Sequence, residues 1–372
     1  MVTTRLDLEW EILASLLPVG WRELAKETGA VRRRRGEMQE PKVLLQVLLL
    51  HVATGLSLKQ AAARATAQGL AKLSDVALLK RLRSSEGFLR ELSRQLFSDS
   101  RFGGGALPLL AGHRLRAVDA TTVKEPGSTG TDWRVHYSIS LPEMACDFYE
   151  VTDDKGGETY IRVPVHSGDV LLGDRGYCHR EGVAQVLKQG GDVIVRLSSN
   201  SFPLLQAADL SDFPLLPSLR GLSGHTPSEW AVCFVAQQTL WNARLCAVRK
   251  SPAVAERAKQ KLLRDAARKG KTVQPQTLEA AEYLFVLTTL PEQEATAEQV
   301  LHLYRARWQI ELCFKRLKSL LRLGHVPKRA DVSARAFIQG KLLTALLIER
   351  LLLQARFFSP WGFDLSKTQS LA

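Results

Sequence analysis

Residues 170–198 read VLLGDRGYCHREGVAQVLKQGGDVIVRLS. An apolar run ends on Asp174, the turn Asp174-Arg175-Gly176-Tyr177 follows, Arg180–Gln189 can form a helix that stops at Gly190-Gly191, and Val193–Leu197 is a second β-branched run. Strand, helix, strand is the unit from which parallel sheets are built. Upstream, Leu115–Val123, Trp133–Ser140 and Cys146–Val151 are short β-branched or aromatic segments, separated by turns at Gly127–Gly130 and Asp153–Gly157. The centre of the chain is therefore expected to be α/β: three strands in a meander, a connection, a strand, a helix and a fifth strand.

On the N-terminal side, residues 5–98 read as helices with short breaks. Pro41 suits a first helical turn, and Ser57 and Ser74 sit where N-caps belong. Ser57–Arg83 reads as two short helices meeting near Gln68-Gly69, the second presenting Lys80, Arg81 and Arg83. That pattern is loosely a helix-turn-helix, and a helical domain with a solvated basic face fits it better. Arg32–Arg35 is either a phosphate-binding turn or a solvated loop. Gly103-Gly104-Gly105 followed by Pro108 reads as a linker.

On the C-terminal side, Ala231–Ala236, Thr239–Val248 and Tyr283–Leu290 keep a β texture, interrupted by the polar helix Ala253–Lys269. Two strongly helical stretches follow, Thr296–Leu323 and Ser333–Arg356. The expected organisation is an all-α N-terminal domain (1–102, DNA-binding), a catalytic domain opening at 110–198, a mainly β insertion (199–293), the catalytic domain's C-terminal helices (294–358) and a tail (359–372).

The chain has 372 residues, 45% hydrophobic and 24% charged, which excludes a disordered or collagenous protein. Its formal net charge is +13, favouring a polyanionic partner such as nucleic acid. The excess is unevenly spread: +5 over residues 1–100, −1 over 101–300 and +9 over 301–372. The five cysteines are scattered without C-x-x-C spacing, so neither a disulfide framework nor a zinc ribbon is expected. With no apolar leader and with Val43–Leu50 too short to cross a bilayer, a soluble cytoplasmic protein is expected.

The most specific chemistry lies in Thr296–Leu323. Tyr304, Arg307, Glu311 and Lys318 stand at offsets of 0, 3, 7 and 14, which at about 100° per residue fall within one sector of about 60°, with Lys315 and Arg322 beside them. Leu303, Ile310, Phe314, Leu317 and Leu321 form the adjacent packing stripe. A lone Glu among cations reads as a solvated i,i+4 pair. Two further acids favour another reading, because Asp119 and Asp174 lie at or near the ends of buried strands, where an unpaired charge is costly. Three converging carboxylates are what a two-metal phosphoryl-transfer site needs, with Mg²⁺ held by hard oxygen ligands and Mn²⁺ able to substitute.

Tyr304-x2-Arg307-x3-Glu311-x6-Lys318 resembles the Y-R-E-K signature of DDE insertion-sequence transposases of the IS-four superfamily, which includes the Tn-five transposase. The resemblance extends to Val118–Thr122, Gly127–Arg134 and Gly173–Tyr177, and covers about residues 110–350. It implies a ribonuclease-H-like catalytic domain with a β-rich insertion, and Asp119, Asp174 and Glu311 as catalytic, metal-binding residues. It implies DNA contacts from Tyr304, Arg307, Lys318 and Arg196, with Arg175 and Lys315 beside them. Related enzymes excise the element through a hairpin, with a flipped base stacked on an aromatic residue of the insert; that position falls near Tyr283 or Leu284, with Trp230 or Trp241 as substitutes. The implied function is cut-and-paste transposition acting on double-stranded DNA, both terminal inverted repeats and target, by a homodimer in the synaptic complex. A ribonuclease-H-like nuclease without strand transfer and a non-enzymatic DNA-binding regulator are the competing readings.

Overall fold

The computed structural model describes residues 5–31, 40–99, 109–141, 143–198, 201–222, 224, 226–327 and 330–355. The expectations placed on Arg32–Arg35, on the Gly103–Gly105 linker with Pro108 and on the tail 359–372 lie outside the described residues. The strands are β1 (Arg114–Val123), β2 (Trp133–Ser140), β3 (Ala145–Asp153), β4 (Asp169–Gly173), β5 (Asp192–Arg196), β6 (Leu205–Gln206), β7 (Ser228–Ala236), β8 (Thr239–Arg249) and β9 (Tyr283–Thr288). They form one mixed sheet in the order β3-β2-β1-β4-β5-β9-β8-β7-β6. β1, β2 and β3 pair antiparallel, while β4 joins β1 in parallel and β5 joins β4 in parallel. The helix Arg180–Lys188, α7, makes the crossover between β4 and β5.

The strands of the expected insertion (199–293) continue this sheet. β9 pairs antiparallel with β5 (Ile194 opposite Thr288, Arg196 opposite Val286), β8 pairs with β9, and β7 with β8. Local alternation reveals that these segments are strands, but it carries no information about which edge they join.

The helices are α1 (Arg5–Ser15), α2 (Trp21–Glu27), α3 (Pro41–Thr54), α4 (Leu58–Ala67), α5 (Asp75–Ser84), α6 (Glu86–Phe97), α7 (Arg180–Lys188), α8 (Leu215–Arg220), α9 (Pro252–Arg268), α10 (Pro275–Ala280), α11 (Ala297–Ala306), α12 (Trp308–Leu320) and α13 (Asp331–Ala355). Ser57 caps α4 in a reciprocal box with Gln60, and the Ser74 side chain accepts from the Ala77 N–H. Pro41 occupies the first turn of α3.

Alternation along the strands divides the core. Leu115, Ala117, Val170, Leu172, Ile194 and Val286 face α11–α13, and the same apolar core runs on through Leu44, Leu48, Leu89 and Leu92 of the N-terminal helices. Val118, Leu171, Val193, Val195 and Leu287 face α7, with Tyr160 and Tyr177. Burying each of the Val, Leu and Ile side chains contributes about 1.5–3 kcal/mol. The N-terminal helices are tied to α13 at close range. Gly340 lets α13 lie against α3, since a methyl there would sit 3.0 Å from Val52, and Arg83 Nε donates to Ser333 Oγ at 2.7 Å.

The stretch expected as one helix, Thr296–Leu323, is two. The Arg307 N–H bonds Tyr304 O and the Ile310 N–H bonds Arg307 O, each at 3.2 Å. These i→i−3 links tighten the chain into a junction at Arg307. Ile310, Phe314 and Leu317 of α12 are buried as the packing stripe requires. Among the described residues no helix is long and apolar enough to cross a membrane.

Candidate functional site

β1 and β4 run in parallel register with Ala117 opposite Leu172. Asp119 and Asp174, each two residues further along, therefore come side by side on chain segments about 5 Å apart. Alternation directs Asp119 to the face of Leu115 and Ala117, which α12 covers. Its Oδ1 accepts the Ala120 N–H at 2.7 Å. Burial, with Asp174 and then Glu158 adding like charge nearby, pushes the Asp119 carboxyl up to about 7.

Asp174 closes β4 and caps a short 3₁₀ turn, Arg175–Tyr177, its Oδ1 accepting the Gly176 N–H at 2.7 Å. The glycines of this turn have steric reasons. A methyl on Gly173 would collide with the buried Tyr160 hydroxyl, and one on Gly176 with the Glu158 carboxylate. Glu158 is thus a further acid near Asp119 and Asp174, half-buried, its carboxyl raised by burial first and by Asp174 second. The sequence reading missed it, because it sits in a loop after Gly156-Gly157 with no strand or helix period to aim it; a carboxylate on the return to a buried strand was the only signal.

Glu311 comes from the first turn of α12. Arg307, at the helix junction, stands between the acids: its Nη1 lies 3.6 Å from Asp119 Oδ2 and its Nη2 2.5 Å from Glu311 Oε1. Its guanidinium lies 5.9 Å from the centre of the Tyr304 ring, a contact of cation–π type. Among the described residues no three His, Cys, Asp or Glu side chains stand close enough to share one metal ion. Asp119 and Asp174 are brought together, and Glu311 is held one guanidinium away.

The expected cations divide into two groups. Arg196 ends β5, beside Asp174 across the β4–β5 register, where Gly173 pairs with Val195. Arg175 is partly buried, its Nε without a hydrogen-bond partner among the described residues, and burial together with Arg196 lowers its pKa. Tyr304 is 8% exposed, and burial raises its phenol while Arg307 and Arg196 oppose the rise. Lys250, just past β8, joins this group: burial, Arg196 and Arg175 bring its ammonium down to about 8, and its Nζ donates to Ala281 O at 2.6 Å. Lys250 went unnoticed in the sequence because the pairing of β8 with β9 and β9 with β5 is what places it near Arg196. Lys315 and Lys318 form the other group, exposed on α12 one and two turns beyond Glu311, with Lys318 depressed by partial burial.

Tyr283 does not offer a stacking face. It is 4% exposed within the α7-side core, and Arg249 lies 5.9 Å from the centre of its ring. Trp230 packs edge-on against Phe213, and Trp241 lies half-buried in the same cluster. Trp308, next to Arg307 and unremarked in the sequence, is 55% exposed. An apolar groove lies elsewhere, between α12 and α13, lined by Cys313, Leu317, Leu320 and Leu352.

The family model for the transposase DDE domain matches residues 143–347, a span that includes Asp174 and Glu311. The transposase for insertion sequence element IS421 of Escherichia coli is 36% identical over 345 residues, 90% of this chain and 91% of its own length. InsL of insertion sequence element IS186A of Escherichia coli K12 is likewise 36% identical, over 344 residues and with the same coverage. The piggyBac transposase in its synaptic complex with hairpin DNA overlays 97% of this chain and 80% of its own at a TM-score of 0.42 and 9% identity, too distant a likeness to inform the fold.

Proposed function

The chain belongs to the DDE transposases of insertion sequences, and from that premise we propose that it cuts and rejoins DNA at the Asp119–Asp174 pair, with Glu311 as the third acid. The observation that supports this most is the register of β1 and β4, which sets two acids side by side under a helix carrying the third. The strand order β3-β2-β1-β4-β5 is the order a ribonuclease-H-like catalytic core would have, with β6–β9 as its inserted part.

The donor set fits a hard divalent cation. Two carboxylates with a third nearby repel one another at burial that disfavours charge, and oxygen ligands of this kind suit Mg²⁺ or Mn²⁺. Asp119 and Asp174 would hold the ion, with Glu311 completing the set once Arg307 releases it. Once bound, it would polarise the scissile phosphate as a Lewis acid and lower the cost of generating the attacking hydroxyl.

The chain's own residues do the rest. Arg307, neutralising Asp119 and Glu311 in the free protein, would turn to the phosphate next to the cut. Tyr304, Arg175, Arg196 and Lys250 would bind the following phosphates, and Lys315 and Lys318 would hold the backbone along α12. The transposon's terminal inverted repeats are the proposed double-stranded substrate, paired by a homodimer, with target DNA accepting the cut ends. Tyr283 is left out of this proposal because of its burial, so a hairpin step would need another aromatic platform.

The test is incubation of the full chain with a duplex spanning the DNA that flanks its reading frame, with and without Mg²⁺, and with a supercoiled target plasmid. Mg²⁺-dependent cuts at the element's ends followed by joining to the plasmid support the reading. Cutting without joining reduces it to a nuclease, and salt-sensitive binding indifferent to Mg²⁺ reduces it to a DNA-binding regulator.

A further inference from the structure

Residues 101–300 have almost no net charge, yet residues 252–271 hold seven Lys or Arg against two Asp or Glu. Most of these lie on α9, a helix of 17 residues in which Ala255 is the only fully buried side chain. Its packing side is Ala255 with the partly buried Ala258, Lys259, Leu262 and Ala266, and Lys259 Nζ pins it to Glu282 at 2.6 Å. Arg257, Lys261, Arg264 and Arg268 stand at offsets of 0, 4, 7 and 11, within about 60° of one another and facing away from that side. All four are exposed.

This stripe works against the helix that carries it. Arg257 with Lys261, Lys261 with Arg264, and Arg264 with Arg268 are like-charge neighbours three or four residues apart, each destabilising by about 0.2–0.5 kcal/mol. Arg257, Lys261 and Arg264 have no carboxylate partner among the described residues, and Arg268 has only Asp265 at 3.9 Å, both side chains well exposed. A row of mutually repelling cations on a lightly anchored helix is stabilised when a polyanion lies along it.

Position and spacing indicate which polyanion. β8 runs parallel to β5 through β9, so Lys250 and the start of α9 lie at the sheet end where Asp174 and Arg196 lie. From β4 to β8 is three strand spacings, about 14 Å, a distance that a duplex cut at Asp174 would span while passing over Arg196 and Lys250. The stripe is about 16 Å long, over which one strand of a duplex presents about five phosphates at 3.4 Å each along the axis.

We propose that the outward stripe Arg257–Lys261–Arg264–Arg268 of α9 grips the phosphate backbone of duplex DNA flanking the cleavage point, through non-specific charge contacts rather than base readout. The proposal rests on DNA being the substrate of the acidic site. It assigns the polar helix a holding role remote from the acids, so its loss weakens grip without altering where the cut is made.

The test is the salt dependence of binding by the full chain to a fluorescently labelled 40-base-pair duplex spanning one flank of the reading frame, over 50–300 mM NaCl. Each phosphate contact contributes about 0.9 to the slope of log K against log salt. The variant Arg257→Gln/Lys261→Gln/Arg264→Gln/Arg268→Gln is expected to melt no lower than the wild type, since three repulsive pairs are removed, and to lose 2–4 from that slope, while cutting at the same position as the wild type. Arg257→Lys/Arg264→Lys/Arg268→Lys is expected to keep the wild-type slope. A wild type that binds and cuts while the Gln variant's slope falls by less than 1 overturns the proposal and assigns the stripe to another polyanion, such as an acidic protein. A wild type that neither binds nor cuts the duplex overturns the DNA reading itself.

Discussion

Arg307 stands against Asp119 with 3.6 Å between Nη1 and Oδ2, while its Nη2 holds Glu311 at 2.5 Å. One guanidinium thus fills the space between two carboxylates that a bound cation would need. Arg307→Gln should tighten Mn²⁺ binding to the DNA-free protein about tenfold, or ~1.4 kcal/mol, in a paramagnetic resonance titration. The same change should slow end cleavage at least about tenfold by removing a phosphate contact. Unchanged Mn²⁺ affinity would mean that Arg307 does not compete for the acids.

The apolar run that precedes Asp119 is interrupted by one charge, Arg116. Arg116 is 2% exposed. It donates Nε and Nη2 to Asp147 at 2.7 and 3.1 Å, and Nη1 to Asp169 at 2.9 Å and Pro164 O at 2.6 Å. Asp169→Ala would strip this buried guanidinium of one carboxylate and should cost about 3–5 kcal/mol in urea unfolding. A loss below about 1 kcal/mol would show that Asp147 alone suffices.

Glu349 on α13 gives the pH dependence. Burial pushes its carboxyl from the usual 4.5 to about 7, although the Cys146 N–H donates to Oε2 at 3.0 Å. The folded chain therefore binds this proton more tightly than the unfolded chain. The resulting stability is fully present below about pH 4.5 and is lost as pH rises through about 7. Glu349→Gln should remove that loss, gaining about 2–3 kcal/mol over wild type at pH 8 and nearly nothing at pH 4, in melting curves across that range. A pH-independent difference would contradict it.

Lys250 gives DNA binding its own pH dependence. An ammonium brought down to about 8 loses charge between pH 7 and 9, where an arginine stays protonated. Binding of flank duplex should weaken over that interval in the wild type and less in Lys250→Arg, with Lys250→Met weak throughout. Parallel pH profiles for wild type and Lys250→Arg would remove Lys250 from the phosphate path.

Much of this architecture is legible in the sequence, for reasons visible in particular elements. Trp133–Ser140 matches β2 residue for residue because alternation, aromatic content and flanking turns agree there. Asp119 and Asp174 stood out because acids follow apolar runs, and their adjacency follows once β1 and β4 pair. What depends on contacts distant in sequence was hidden. Arg307 breaks a helix that a uniform 100° step treats as continuous, Glu158 reaches the acids from a loop, and Lys250 reaches Arg196 only through the β5–β9–β8 pairing. Tyr283, found by counting back from Glu311, lies inside the core because β9 is an interior strand of the sheet.

The central claim is that Asp119, Asp174 and Glu311 together make the cutting centre. Its most direct measurement is strand cleavage of a duplex spanning the element's end, in Mg²⁺, by wild type and by Asp119→Asn, Asp174→Asn and Glu311→Gln, with binding followed on the same DNA. The account predicts that each variant loses cleavage by at least about a thousandfold while its affinity for the duplex stays within a few fold of wild type. A variant at any of the three positions that cuts at the wild-type rate would contradict it.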